Sequence, residues 1–188
     1  MKIYLASASP RRREILQNLG VKFEILTQNA DENVKEINPC KLTELLARRK
    51  AEAAAKTRND GLIIGCDTVV FAGGEILGKP KDKEDAKRML RALSGRTHQV
   101  LTGMCLKNAA TGESFVRHDG ALITFDEMTD EEIAAYVASG EPMDKAGAYG
   151  IQGLGGAYIA HMQGDYYATV GLSLCGLRKL LKTAGLSE

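Results

Sequence analysis

Leu62-Ile-Ile-Gly-Cys-Asp-Thr-Val-Val-Phe71 is the most apolar stretch of the chain, and its reading decides the fold. A short apolar run rich in β-branched residues and bounded by turn formers predicts a strand in the middle of a sheet. Gly73 and Gly74 then turn it into a short partner strand ending near Leu77. Upstream, the apolar run Lys2 to Ala6 precedes Ser9 and Pro10, an N-cap and a first helical residue. Ile15, Leu16 and Leu19 recur there at helical spacing, and Gly20 is the stop. Val21 to Leu26 reads as a second strand, followed by an acidic turn-rich stretch from Asn29 to Asn38 and an alanine-rich helix from about Lys41 to Lys56, striped by Leu42, Leu45, Leu46 and Ala53.

Downstream, Asp82 caps a helix with Ala86, Met89, Leu90 and Leu93 on one side and Gly95 at its end. Thr97 to Leu106 and Ser114 to Thr124 form a hairpin about the turn Asn108 to Gly112. Thr129 and Glu132 make a capping box for a helix through Ser139, stopped by Gly140. The glycine-rich run Glu141 to Gly156 is long for a passive connector and is read as functional. A strand near Ala157 to Met162 and a helix Ser173 to Ala184 complete an α/β protein with a mixed sheet.

The 188 residues carry 25 basic and 24 acidic side chains, 44% hydrophobic residues and 5% aromatics. That composition excludes disorder, collagen and low complexity. A net charge of +1 and the absence of Trp argue against a nucleic-acid-binding module, so an anionic ligand must be met by a local cationic cluster. The four cysteines and three histidines are scattered, which reads as reduced, mostly buried thiols with no structural zinc. No apolar run approaches the ~20 residues that span a bilayer, and the N-terminus reaches three arginines after a few apolar positions. The expectation is a cytoplasmic protein of one domain, 1–188.

Three features carry chemistry. Leu5-Ala-Ser-Ala-Ser-Pro-Arg-Arg-Arg13 places serines and arginines where a strand enters a helix. Free N–H groups and the helix dipole favour an anion there, and arginines add bidentate donors for phosphate. The bland alternative, a solvated first turn, gives no reason to put positive charge at a helix N-terminus. Asp67, inside the buried run, costs several kcal/mol unless it is paired, hydrogen-bonded or bound to a cation, so it needs a partner. Asp31 and Glu32 supply further carboxylates suited to a hard divalent cation, although singly they read as surface acids. Lys50 and Lys79, and the run Asp144-Lys-Ala-Gly-Ala-Tyr-Gly-Ile-Gln-Gly153, which has neither a P-loop nor a dinucleotide fingerprint, carry nothing alone. Together these groups suit a polyphosphate held by metal, with a carboxylate to activate water.

LASASPRRREIL, GCDTVV, GKP, LSGRTHQVLTG and DKAGAYGIQGLGG followed by GDYYATVGLSL resemble, in order, the Maf family of nucleoside triphosphate pyrophosphatases, over about Tyr4 to Leu174. The resemblance implies a Maf/ITPase-like fold, with an elongated mixed sheet flanked by helices and two lobes around a central cleft. It also implies a divalent cation, Mg²⁺ or Mn²⁺, a cytoplasmic setting and a homodimer. Hydrolysis of a nucleoside triphosphate to monophosphate and pyrophosphate is the implied activity. The form DKAGAYGIQG is similar to the branch acting on dTTP and UTP, with modified pyrimidine nucleotides as further candidates.

By position, Asp67 takes the place of the family's proton acceptor, and Arg12, Thr68 and Gln152 fall where the family sets substrate choice. Ser7, Arg11, Glu32, Lys50 and Lys79 match its phosphate and metal neighbourhood, with Glu32 and Asp67 as the metal-holding and catalytic carboxylates. Base and metal ligand call on the same Asp67 carboxylate. Leu45 and Asn38-Pro-Cys-Lys41 depart from the family's form. The competing class is a nucleotide-binding regulator of cell division with little turnover.

Overall fold

A computed structural model describes residues 1–186. Seven strands form one mixed sheet in the order β2-β1-β3-β5-β6-β7, with β4 paired to β3. They are β1 (Ile3–Leu5), β2 (Glu24–Ile25), β3 (Leu62–Ala72), β4 (Glu75–Leu77), β5 (Thr97–Asn108), β6 (Ser114–Phe125) and β7 (Ile159–Gly164). The helices are α1 (Pro10–Asn18), α2 (Pro39–Ala55), α3 (Lys83–Leu93), α4 (Asp130–Ala138), α5 (Tyr166–Val170) and α6 (Leu174–Thr183). β1 runs parallel to both β2 and β3, whereas β4 is antiparallel to β3 and β7 to β6. The expected α/β class and mixed sheet flanked by helices are therefore found.

The punctuation residues act as their chemistry dictates. Ser9 accepts from the Arg12 N–H, Asp82 from the Asp85 N–H and Ser173 from the Gly176 N–H, and Thr129 with Glu132 closes the full capping box. Gly73 and Gly74 both hold positive φ, as a two-residue hairpin turn requires. Asn38-Pro-Cys-Lys41 is a sound helix start, with Asn38 Oδ1 accepting from the N–H groups of Cys40 and Lys41 and Pro39 at the first position.

Three element readings shift. The second strand contracts to Glu24–Ile25, both exposed, because it pairs only with three-residue β1. The last strand begins two residues later, at Ile159, and α5 was not anticipated. The buried stripe of α2 is Thr43, Leu46, Ala47, Ala51 and Ala54, with Leu42, Leu45 and Ala53 only half-buried. Glycines explain the rotation. A Cβ at Gly65 of β3 would lie 2.2 Å from the Ala47 carbonyl oxygen, and one at Gly103 of β5 would lie 2.2 Å from the Thr43 carbonyl. The helix backbone rests on the strands, so small residues must face them.

The chain divides into two compact units, the first comprising Met1–Asp67, Thr102–Asp119 and the chain from Gly171, the second Thr68–Leu101 and Gly120–Val170. A core of Tyr4, Ala6, Leu26, Ala47, Ala51, Ala54, Ile63 and Cys105 belongs to the first. In the second, α3 and α4 contribute Met89, Leu90, Leu93, Ile133 and Val137 to a core shared with Ile123, Phe125 and Tyr149. Cys66 and Cys105 are buried thiols, pushed up to about 11 and about 12 by burial, whereas Cys40 is half-buried and Cys175 exposed, so only two of the four fit the expected burial.

Candidate active site

In the first unit the end of β1 and the start of α1 gather one group of polar side chains. Ser7 is buried, and its Oγ accepts from Arg12 Nη1 at 3.0 Å and from the Ser9 N–H at 3.2 Å. Arg12 Nε donates to the Gly171 carbonyl oxygen at 2.8 Å. Gly171 has φ of +128°, a region open to glycine and costly for L-residues. Arg12 is thus tied at two nitrogens to groups 5 and 159 residues away in sequence. Arg11 lies beside it, half-buried, in the same first turn. No acidic residue occupies that turn, so the positive charge is not there to complement the helix.

A second group sits where α2 rests on β3. Gly65 and Asp67 share a face of the strand by its two-residue period, and Gly65 is pressed against Ala47 and Ala51. Lys50, between those alanines, therefore projects within reach of Asp67. Lys50 Nζ bonds Asp67 Oδ1 at 2.5 Å and Glu32 Oε1 at 3.1 Å. The Asp67 and Lys50 side chains are 12% and 19% exposed, while that of Glu32 is 59% exposed. The partner that the buried Asp67 was expected to need is thus a cation, Lys50. The Glu32 loop is fixed to α2 by a neighbouring pair, since Arg49 Nη1 donates to the Asp31 carbonyl oxygen at 2.8 Å and to Asp31 Oδ2 at 3.1 Å.

Among the described residues no three His, Cys, Asp or Glu side chains converge as a metal cage. Glu32 and Asp67 nevertheless meet on one cation, Lys50, and two hard carboxylates suit a Mg²⁺-like ion that takes its remaining ligands from phosphates and water.

Thr68, Lys79 and Gln152 belong to the second unit. Thr68 is half-buried on β3, Lys79 is exposed after β4, and Gln152 is exposed within the glycine-rich run. That run is a chain of 3₁₀ turns, Glu141–Asp144, Ala146–Ala148 and Leu154–Tyr158. Gly147 and Ala148 both hold positive φ, and a Cβ at Gly147 would strike Val70 at 2.7 Å. Ala148 carries the strain of a left-handed residue and is fully buried.

Sequence reasoning did not single out Glu141, Tyr136 or Gly171. Glu141 Oε1 accepts from the Tyr136 hydroxyl at 2.8 Å and from the Gly155 N–H at 3.2 Å, and Oε2 from the Leu154 N–H at 2.8 Å. Burial raises the Glu141 pKa, but these donors and Lys145 outweigh it and leave the carboxyl below its ordinary value. The available signal was an acid directly after the helix-stopping Gly140, ahead of a glycine-rich run.

Fold and side chains together define an α/β protein with a cationic strand-to-helix turn and a lysine-bridged pair of carboxylates. The fold resembles that of the Staphylococcus aureus Ham1 protein, with a TM-score of 0.50 over 66% of this chain and 72% of that one, at 18% identity. The chain belongs to the Maf family, whose model, described as Maf-like protein, matches residues 2–184. It is similar to proteins named dTTP/UTP pyrophosphatase from several bacteria. The Desulforamulus reducens protein is 45% identical over 98% of this chain and 97% of its own. That of Alkaliphilus metalliredigens is 48% identical over 96% and 94%, and that of Aquifex aeolicus 43% over 99% and 97%.

Proposed function

We propose that this chain is a nucleoside triphosphate pyrophosphatase that hydrolyses dTTP and UTP to the monophosphate and pyrophosphate. The observation that carries the reading is identity of 43–48% along nearly the whole chain to proteins named for that activity. The buried Asp67, held by Lys50, supports the residue-level account.

In that account water attacks the α-phosphorus, its proton passes to the Asp67 carboxylate, and the bond from the α-phosphorus to the bridging oxygen breaks to release pyrophosphate. One Asp67 oxygen stays on Lys50, which orients the carboxylate while the other takes the proton. Arg11, Arg12, Lys50 and Lys79 offset the triphosphate charge, and Ser7 binds beside them. Glu32 would hold a divalent cation, Mg²⁺ or Mn²⁺, which when bound neutralises phosphate charge; in the alternative arrangement Asp67 is its second carboxylate ligand and does not take the proton.

Gln152, with Arg12 and Thr68, selects the base. Its amide offers both a donor and an acceptor to a pyrimidine's carbonyl and N–H edge, and in a pocket closed around the base an unpaired amide loses ~1 to 3 kcal/mol. Residues 1–188 act as one Maf-like domain in this reading. On the family resemblance we place it in the cytoplasm as a homodimer; among the described residues no helix is long and apolar enough to cross a membrane.

Product analysis with Mg²⁺ over dTTP, UTP, CTP, GTP and 7-methyl-GTP tests the proposal. Monophosphate and pyrophosphate should appear fastest from dTTP and UTP. CTP is the sharpest control, because its exocyclic amine reverses the base-edge pattern at constant size. Binding without product would instead support a regulator, and equal kcat/KM for GTP and UTP would sink the base assignment.

A further inference from the structure

Gly150 and Gly153 bracket Ile151 and Gln152, and each is seated on one side chain of the segment before it, Lys145 or Glu141. A Cβ at Gly153 would lie 2.4 Å from Glu141 Oε2, and one at Gly150 would lie 2.6 Å from Lys145 Cε. Lys145 Nζ donates in turn to the Glu141 carbonyl oxygen at 2.6 Å and to Asp144 Oδ1 at 2.7 Å. The Tyr136 hydroxyl donates to Glu141 and accepts from the Gly150 N–H at 3.3 Å. Backbone groups on both sides of Gln152 therefore converge on a single carboxylate and its tyrosine. Ile151 packs against the core of the second unit while Gln152 is exposed.

A short surface loop without regular pairing would sample many conformations, and only fixed donors and acceptors give it one. Three hydrogen bonds accepted by one carboxylate tie the Leu154 and Gly155 backbone and the Tyr136 hydroxyl to Glu141. Their shared effect is to set where residue 152 is displayed. We propose that Glu141 is a positioning residue for base selection, whose carboxylate closes the glycine loop and fixes the presentation of Gln152. The inference rests on the reading that Gln152 recognises the base.

Glu141→Gln is the direct probe, because it keeps an acceptor for Tyr136 and Gly155 but turns an N–H₂ donor toward the Leu154 N–H. The ratio of kcat/KM for UTP over CTP should fall about tenfold, through KM more than kcat, as expected when one polar contact loses its alignment. Gln152→Ala should lower the same ratio at least as far, and adding Glu141→Gln to it should cause no further fall, since both act through one contact. Should the Glu141 variant fail to fold, Tyr136→Phe keeps the ring and removes the hydroxyl, with a fall of about threefold expected.

A Gln152→Ala variant with unchanged base preference would overturn the base-recognition reading itself. If Gln152→Ala collapses the preference while Glu141→Gln or Tyr136→Phe slows UTP and CTP equally, the reading stands and the positioning role is overturned.

Discussion

Two carboxylates in this molecule are held in opposite ways. Asp67 is matched by a formal charge, the Lys50 ammonium, which also serves Glu32. Glu141 is matched by neutral donors, two backbone N–H groups and a tyrosine hydroxyl. An ion pair around a small cluster can exchange partners when a polyanion and its counter-ion arrive. A carboxylate accepting from fixed backbone has nothing to exchange and behaves as a fastener. The first arrangement suits a reacting group and the second suits a device that shapes a loop.

Removing the charge of Asp67 is the strongest way to break this contrast. Asp67→Asn should lower kcat about 10³-fold, the range for loss of a general base, while the melting temperature stays within a few degrees because Lys50 keeps Glu32. Measured turnover near that of the wild type would make Asp67 another fastener.

Gly65→Ala asks whether the contrast depends on how closely α2 sits on β3. The added Cβ would meet backbone at 2.2 and 2.9 Å, and overpacking against backbone should cost about 3 kcal/mol. Denaturant unfolding reads the loss, and activity should fall further than stability requires because Lys50 is displaced with the helix. A variant as stable as the parent would show that α2 can move freely.

His98 offers a third case, a buried base with no charge partner. Its Nε2 lies 2.6 Å from the Tyr149 hydroxyl, its Nδ1 has no hydrogen-bond partner among the described residues, and burial lowers its pKa to about 4. The unfolded chain, with a His near 6.5, takes up the proton first as pH falls. This stability is therefore complete above about pH 6.5 and is lost progressively toward pH 4, by up to about 3 kcal/mol. His98→Gln, which cannot titrate, should flatten that limb in unfolding measurements between pH 4 and 8. An unchanged acid limb would assign the loss to other groups.

The smallest change sharpens the cationic side. Arg12→Lys keeps the charge but loses the geometry that joins Ser7 and Gly171, so kcat/KM should fall about tenfold, with Arg12→Ala falling further. If Arg13→Ala were the damaging variant and Arg12 silent, the register of the α1 turn would be wrong.

What the sequence determined by itself was whatever depends on near neighbours. Helix starts at Ser9, Asp82, Thr129 and Ser173 and stops at Gly20, Gly95 and Gly140 are local hydrogen bonding and local φ, so they are legible in a few residues. The demand of Asp67 for a partner is equally legible, because a charge buried in an apolar run must be paired, hydrogen-bonded or bound to a cation.

Which partner answers is a tertiary matter. Lys50 lies 17 residues away and reaches Asp67 because Gly65 lets the α2 backbone rest on β3, a contact that also rotated the helix's buried stripe away from Leu42 and Leu45. The partners of Arg12 and Glu141 were set in the same way. Gly171 is 159 residues from Arg12, and Leu154 is 13 from Glu141. Side-chain periodicity reports which face of an element is apolar, but not which distant backbone group will be left needing a donor or an acceptor; packing alone brings those groups within hydrogen-bonding distance.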